Sequence, residues 1–162
     1  MRKFVMMSTV LLLSGCNFMQ GDKVAVNAPE TLTAKAAVYN AENALVGEIM
    51  FKETGKGVEL TAILNSLPPG GHGIHLHEKG KCEAPSFESA GPHFNPTNKK
   101  HGVENPLGPH VGDLPNIVAD ETGEVQLNFI TADFTLKKGE ATSIFDQDGT
   151  AVVIHEKEDD YK

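Results

Sequence analysis

Val58-Glu59-Leu60-Thr61-Ala62-Ile63-Leu64 sets Val58, Leu60, Ala62 and Leu64 at every second position, with Glu59, Thr61 and Ile63 between them. Successive side chains of a strand point to opposite faces, so this period predicts one buried and one wet face, as in an antiparallel sheet. Val125, Leu127 and Phe129 repeat the pattern around Gln126 and Asn128. Further strands are predicted at 32–40, 46–52, 73–77, 143–145 and 151–155. Turn-forming clusters separate them: Thr54-Gly55-Lys56-Gly57, Pro68-Pro69-Gly70-Gly71, Asp120-Glu121-Thr122-Gly123 and Asp146-Gln147-Asp148-Gly149. No helical stripe of useful length interrupts them. Many short strands with regular turns predict an all-β sandwich or barrel.

Composition narrows the function. The chain has 162 residues, enough for one domain. It carries 22 acids against 14 bases, a net charge of −8, with no basic run. Phosphate neutralisation needs clustered Lys and Arg, so nucleic acid is not expected as a partner. Two Cys exclude a disulfide-dense scaffold and a zinc site built from cysteine.

The first residues read as an export signal. Met1-Arg2-Lys3 is basic, Phe4 to Leu13 is mostly apolar, and Leu13-Ser14-Gly15-Cys16 resembles a bacterial lipobox. Ten apolar residues are too few to span a bilayer, which needs about 20, but suit a signal segment. The expectation is a lipoprotein signal peptide at 1–15, acylation of Cys16, a flexible tether at 16–30 and a folded domain at 31–162. Two acyl chains make a stable anchor. The protein is therefore expected outside the cytoplasm, lipid-anchored to a bacterial cell membrane.

The chemistry lies in seven histidines, six of which fall between His72 and His110. His75 and His77 flank Leu76 on a predicted strand and share a face, so two imidazoles can grip one metal there, although a lone His-x-His is weak evidence and by itself favours a satisfied, non-metal pair. His93, His101, His110 and Asp113 lie within a long segment carrying Pro85, Pro92, Pro96, Pro106 and Pro109. Three imidazoles and a carboxylate make a closed tetrahedral zinc set. Metal binding would then hold an irregular loop in place of hydrophobic burial. His155 ends the apolar run Ala151-Val152-Val153-Ile154, and sheet pairing can bring it beside His75 and His77.

Four motifs in order carry a family resemblance. Gly73-Ile74-His75-Leu76-His77-Glu78 resembles the copper strand of copper–zinc superoxide dismutases. Ala90-Gly91-Pro92-His93-Phe94-Asn95-Pro96, then Lys100-His101-Gly102, then His110-Val111-Gly112-Asp113-Leu114-Pro115-Asn116 resemble their zinc loop. Val152-Val153-Ile154-His155-Glu156 resembles their last copper strand. The resemblance implies a Greek-key antiparallel β-sandwich or flattened barrel, copper and zinc as cofactors, and superoxide as substrate. It implies copper ligands His75, His77, His93 and His155, and zinc ligands His93, His101, His110 and Asp113. His93 is then a bridging imidazolate and the catalytic proton carrier. Asp159 matches an aspartate that orients one ligand of each metal, and His72 a non-ligand that supports the copper strand.

The family pattern continues past the last copper strand with a charged loop, a Cys, an Arg near copper and a final strand. The sequence stops at Lys162, so the expectation is that this strand is missing and that Cys82 is an unpaired thiol. Lys79, Lys99, Lys100, Lys137 and Lys138 are candidates to steer the anion in place of the Arg. The alternative function is an exported copper- and zinc-binding protein with little turnover. A surface domain using zinc alone is a third possibility, which retention of the copper set disfavours.

Overall fold

The computed structural model describes residues 31–162; the expected signal peptide, Cys16 and the expected tether lie outside the described residues. Eight strands form: β1 (Thr33–Tyr39), β2 (Leu45–Thr54), β3 (Gly57–Leu64), β4 (Gly70–His72), β5 (Ile74–His77), β6 (Ile117–Ala119), β7 (Val125–Thr131) and β8 (Ala151–Ile154). One 3-10 turn, Glu88–Ala90, is the helical element among the described residues.

All strand pairings are antiparallel. Strands β1-β2-β3-β7 make a four-stranded sheet, and β4-β6 and β5-β8 make two smaller ones. In β3 the alternation works as read: Val58, Leu60 and Leu64 are buried, while Ile63 is 60% exposed. Register follows, because a slip of one residue would turn Leu60 outward; Leu60 faces Phe51 on β2 and Phe129 on β7. Ile49, Phe51, Val58, Leu60 and Leu64 pack against Ile74, Leu76, Ile117, Val125 and Phe134 in one core.

Three local expectations change. Residues 143–145 form no strand; Ser143 makes a single bridge to Thr135. Gly70 and Gly71, expected in a turn, belong to β4, which pairs with an unforeseen β6. Both strands have three residues, too few for periodicity to register. The proline-rich segment is also held by more than its polar residues. Ala90, Phe94, Val111 and Leu114 are buried. Backbone bonds from Leu76 N–H to Gly112 O (2.9 Å) and from Phe94 N–H to Leu76 O (2.8 Å) stitch the loop to β5, and one from Gly112 N–H to Phe94 O (2.9 Å) ties two parts of the loop together. Hydrophobic burial therefore shares the work assigned to metal alone.

Candidate metal centre

Strand β5 is buried on both faces. Ile74 and Leu76 enter the core, so the period of two turns His75 and His77 to the opposite side, beneath the loop. Strand β8 pairs with β5 in the register His75 to Val153 and His77 to Ala151. His155 follows at its end, its N–H donating to Gly73 O at 2.8 Å. On the other edge of β5, single bridges pair His75 with Asp113 and His77 with His93. Two sheet edges thus carry distant residues to one place. Ring centroids lie 4.8 Å apart for His75 and His155, 4.9 Å for His77 and His93, and 4.1 Å for His75 and His93.

Two quartets able to hold a metal ion result: His75, His77, His93 and His155, and His93, His101, His110 and Asp113. In each, one donor atom per residue lies within 4.8 Å of the others. His93 belongs to both. In the second quartet Nδ1 of His93, His110 and His101 approach the Asp113 carboxylate at 2.9, 3.1 and 3.2 Å. Four donors at about 2.0–2.1 Å around a tetrahedral zinc sit about 3.3 Å apart, so this spacing fits such an ion.

Hydrogen bonds on the outer nitrogens fix the inner ones. Asp159 sets Oδ2 at 2.8 Å from His75 Nε2 and Oδ1 at 2.9 Å from His101 Nε2. His77 Nδ1 lies 2.7 Å from Gly91 O. A carboxylate or carbonyl oxygen only accepts, so each of these nitrogens carries the proton and the opposite one keeps its lone pair. Those opposite atoms, His75 Nδ1, His77 Nε2 and His101 Nδ1, are buried and find no hydrogen-bond partner among the described residues; His155 Nε2 is the fourth such atom. An unsatisfied buried nitrogen is costly. Three of the four belong to the first quartet and one to the second, so a cation in each fits the donors present.

For His75, His77 and His155 the protonation states agree. Burial lowers His75 to about 4, against the opposing hydrogen bond of Asp159. Burial also lowers His77 and, with the neighbouring His77 ring, His155. These imidazoles are neutral and ready to ligate near pH 7. Burial works to raise Asp113, but the His93 contact and the N–H groups of Gly102 and His110 outweigh it and hold the carboxyl well below its usual range. Burial opposes charge on His101 too, yet the adjacent Asp159 and Asp113 raise it.

The remaining expected residues have distinct places. His72 is buried, with Nδ1 2.8 Å from His155 O and Nε2 2.7 Å from Pro68 O. It touches the chain at His155 but joins neither quartet. Cys82 is exposed and forms no disulfide among the described residues. Lys79 lies beside Glu78 at 3.9 Å, Lys137 beside Glu53 at 3.6 Å, and Lys138 over the Phe145 ring.

Two features escaped sequence reading. A cavity of about 510 Å³ opens onto His93 and His110, and its charged walls are Glu78, Asp146 and Asp148, with none of the five candidate lysines. Asp146 and Asp148 showed only as turn formers. Asn116 and Tyr161 clamp Asp159 through hydrogen bonds; Asn116 was visible as the end of a motif, whereas nothing marked Tyr161.

The family model described as copper/zinc superoxide dismutase matches residues 45–162. "Superoxide dismutase [Cu-Zn] 2" of Aquifex aeolicus is 44% identical over 140 residues, 86% of this chain and 82% of that protein. "Superoxide dismutase-like protein YojM" of Bacillus subtilis is 40% identical over 166 residues, 97% of this chain and 85% of that protein. The crystal structure of a SOD-like protein from Bacillus subtilis superposes with a TM-score of 0.76 at 46% identity, covering 78% of this chain and 85% of that one. The chain belongs to the copper/zinc superoxide dismutase family, whose two metals its paired quartets are suited to hold.

Proposed function

We propose that the protein is a superoxide dismutase, converting two superoxide ions and two protons to oxygen and hydrogen peroxide. His75, His77, His93 and His155 hold copper, and His93, His101, His110 and Asp113 hold zinc. The observation that carries this reading is His93, which belongs to both quartets at once. Bound copper supplies the one-electron redox couple and bound zinc a fixed positive charge. His93 supplies the proton path. Its Nδ1 faces Asp113 at 2.9 Å, leaving Nε2 for the other quartet, where it can take up a proton and release it to the product. Its side chain is 21% exposed, so that proton can be replaced from solvent. Asp159 holds His75 and His101 fixed meanwhile.

The test is superoxide consumption by protein loaded with one copper and one zinc, beside a His93→Ala variant. Turnover in the first and its loss in the second are expected. Full occupancy of both sites without turnover would overturn the enzyme reading. It would favour the alternative of a copper- and zinc-binding protein, for which the acidic, lysine-free cavity beside His93 speaks.

Export and anchoring through Cys16 form part of the same proposal. Their support is the sequence from Met1 to Cys16. Cys16→Ser should leave the protein unprocessed or release it from membranes; a wild-type mature chain that is wholly soluble and starts elsewhere would reject the anchor.

A further inference from the structure

Asp159 is itself held by a clamp. Asn116 Nδ2 donates to Asp159 O and Asp159 N–H donates to Asn116 Oδ1, both at 2.9 Å. The amide thus grips that backbone as a neighbouring strand would. The N–H of Asn116 donates in turn to the Tyr161 hydroxyl at 2.8 Å. Tyr161 closes the ring, its own N–H donating to Asp159 Oδ1 at 2.9 Å, the oxygen that also faces His101. A further bond runs from Glu104 N–H to Tyr161 O at 2.9 Å. Gly102 lies against that carbonyl so closely that a Cβ would stand 2.3 Å from it.

Residues 159–161 are therefore threaded between two parts of the loop, at 101–104 and at 116. Tyr161 adopts φ 64°. A side-chain-bearing residue resists this left-handed region and stays there only when its surroundings over-determine it. Here three hydrogen bonds do so. The Asp159 side chain is only 4% exposed, so a small shift of its backbone has no solvent to absorb it and passes directly to His75 and His101.

We propose that Tyr161 is a positioning residue for the metal centre: its hydroxyl holds Asn116 and its backbone holds Asp159, which together aim His101 at zinc and set how long zinc is retained. This rests on the zinc assignment above. It goes beyond it by giving a role to a residue that touches neither quartet.

The experiment follows zinc leaving the holoprotein into excess chromogenic chelator, for wild type, Tyr161→Phe, Asp159→Asn and the double variant. Phenylalanine keeps the ring and removes one hydroxyl, so the fold survives. The expected result is release about 3- to 10-fold faster in Tyr161→Phe, the size of one hydrogen bond, and faster still in Asp159→Asn. If Tyr161 acts through Asp159, the hydroxyl should matter less once that carboxylate is gone, giving a non-additive cycle. Cobalt placed in the zinc site should show altered visible bands in Tyr161→Phe, a change a merely structural role would not produce. Release at the wild-type rate, or an equal effect in both backgrounds, would overturn the proposal while the zinc site stands. A wild-type protein that holds no zinc would overturn both.

Discussion

The ring of His93 stands 4.1 Å, centroid to centroid, from that of His75. That approach joins a loop residue to a strand residue and makes two four-donor sets share a member. Around that junction four buried imidazole nitrogens, of His75, His77, His101 and His155, have no hydrogen-bond partner among the described residues. The protein gains most from metal where its own hydrogen bonding is least complete.

Removing Asp113 should empty the zinc quartet before the other. Asp113 faces three histidines and also accepts the N–H groups of Gly102 at 2.9 Å and His110 at 3.0 Å. Asp113→Ala deletes a ligand and leaves those donors unmet, at about 1–3 kcal/mol each. Metal analysis of the purified variant should show zinc falling first, and proteolysis should cut residues 80–115 sooner. Equal loss of both metals would contradict the assignment.

Acid should destabilise the metal-free protein in a defined window. Unfolded histidine takes a proton near its ordinary value of 6.5, whereas folded His75 resists until about 4. The unfolded state therefore binds more protons between those values, and stability falls as pH falls through them. His75 alone accounts for about 3 kcal/mol. His77 and His155 act in the same direction, whereas His101, whose value is raised, adds its stability above that window, as pH falls toward 6.5. Urea unfolding at pH 7, 6, 5 and 4 measures this; a flat profile would refute it.

A methyl group at Gly112 should push the loop off its strand. A Cβ there would stand 2.4 Å from Leu76 O, a fixed backbone atom. Gly112 also donates to Phe94 and accepts from Leu76, so the loop cannot retreat without losing both bonds. Gly112→Ala should cost at least 2 kcal/mol, roughly the scale of core overpacking, and lower the content of both metals. Unfolding like wild type would show that the backbone yields more easily than this contact implies.

The carboxylates of Glu78, Asp146 and Asp148 beside His93 should slow an anionic substrate. Asp146→Asn with Asp148→Asn is expected to raise the superoxide rate several-fold at low salt. The gain should shrink as ionic strength rises and screens the wild-type charges. A rate unchanged at every ionic strength would place the substrate's approach elsewhere.

Much of this was legible from residue order alone. Alternation in β3 and β7 states the class of fold, because a two-residue period is a local property of the chain. The spacing from His93 to Asp113 marks one quartet, since its members lie close in sequence on a single loop. The side-chain pattern of β5 also says that His75 and His77 share a face.

Tertiary structure decided the rest. His155 is 78 positions beyond His77, and the β5–β8 register sets it beside that pair. Strands β4 and β6 exist because each has the other to bond with, and three residues hold no period of their own. The acidic cavity and the Asn116–Tyr161 clamp join segments whose sequences say nothing of each other. Local patterns record which face a residue prefers, but register and loop path settle which residues meet. Those depend on long-range hydrogen bonds and core packing, which no local stretch of sequence contains.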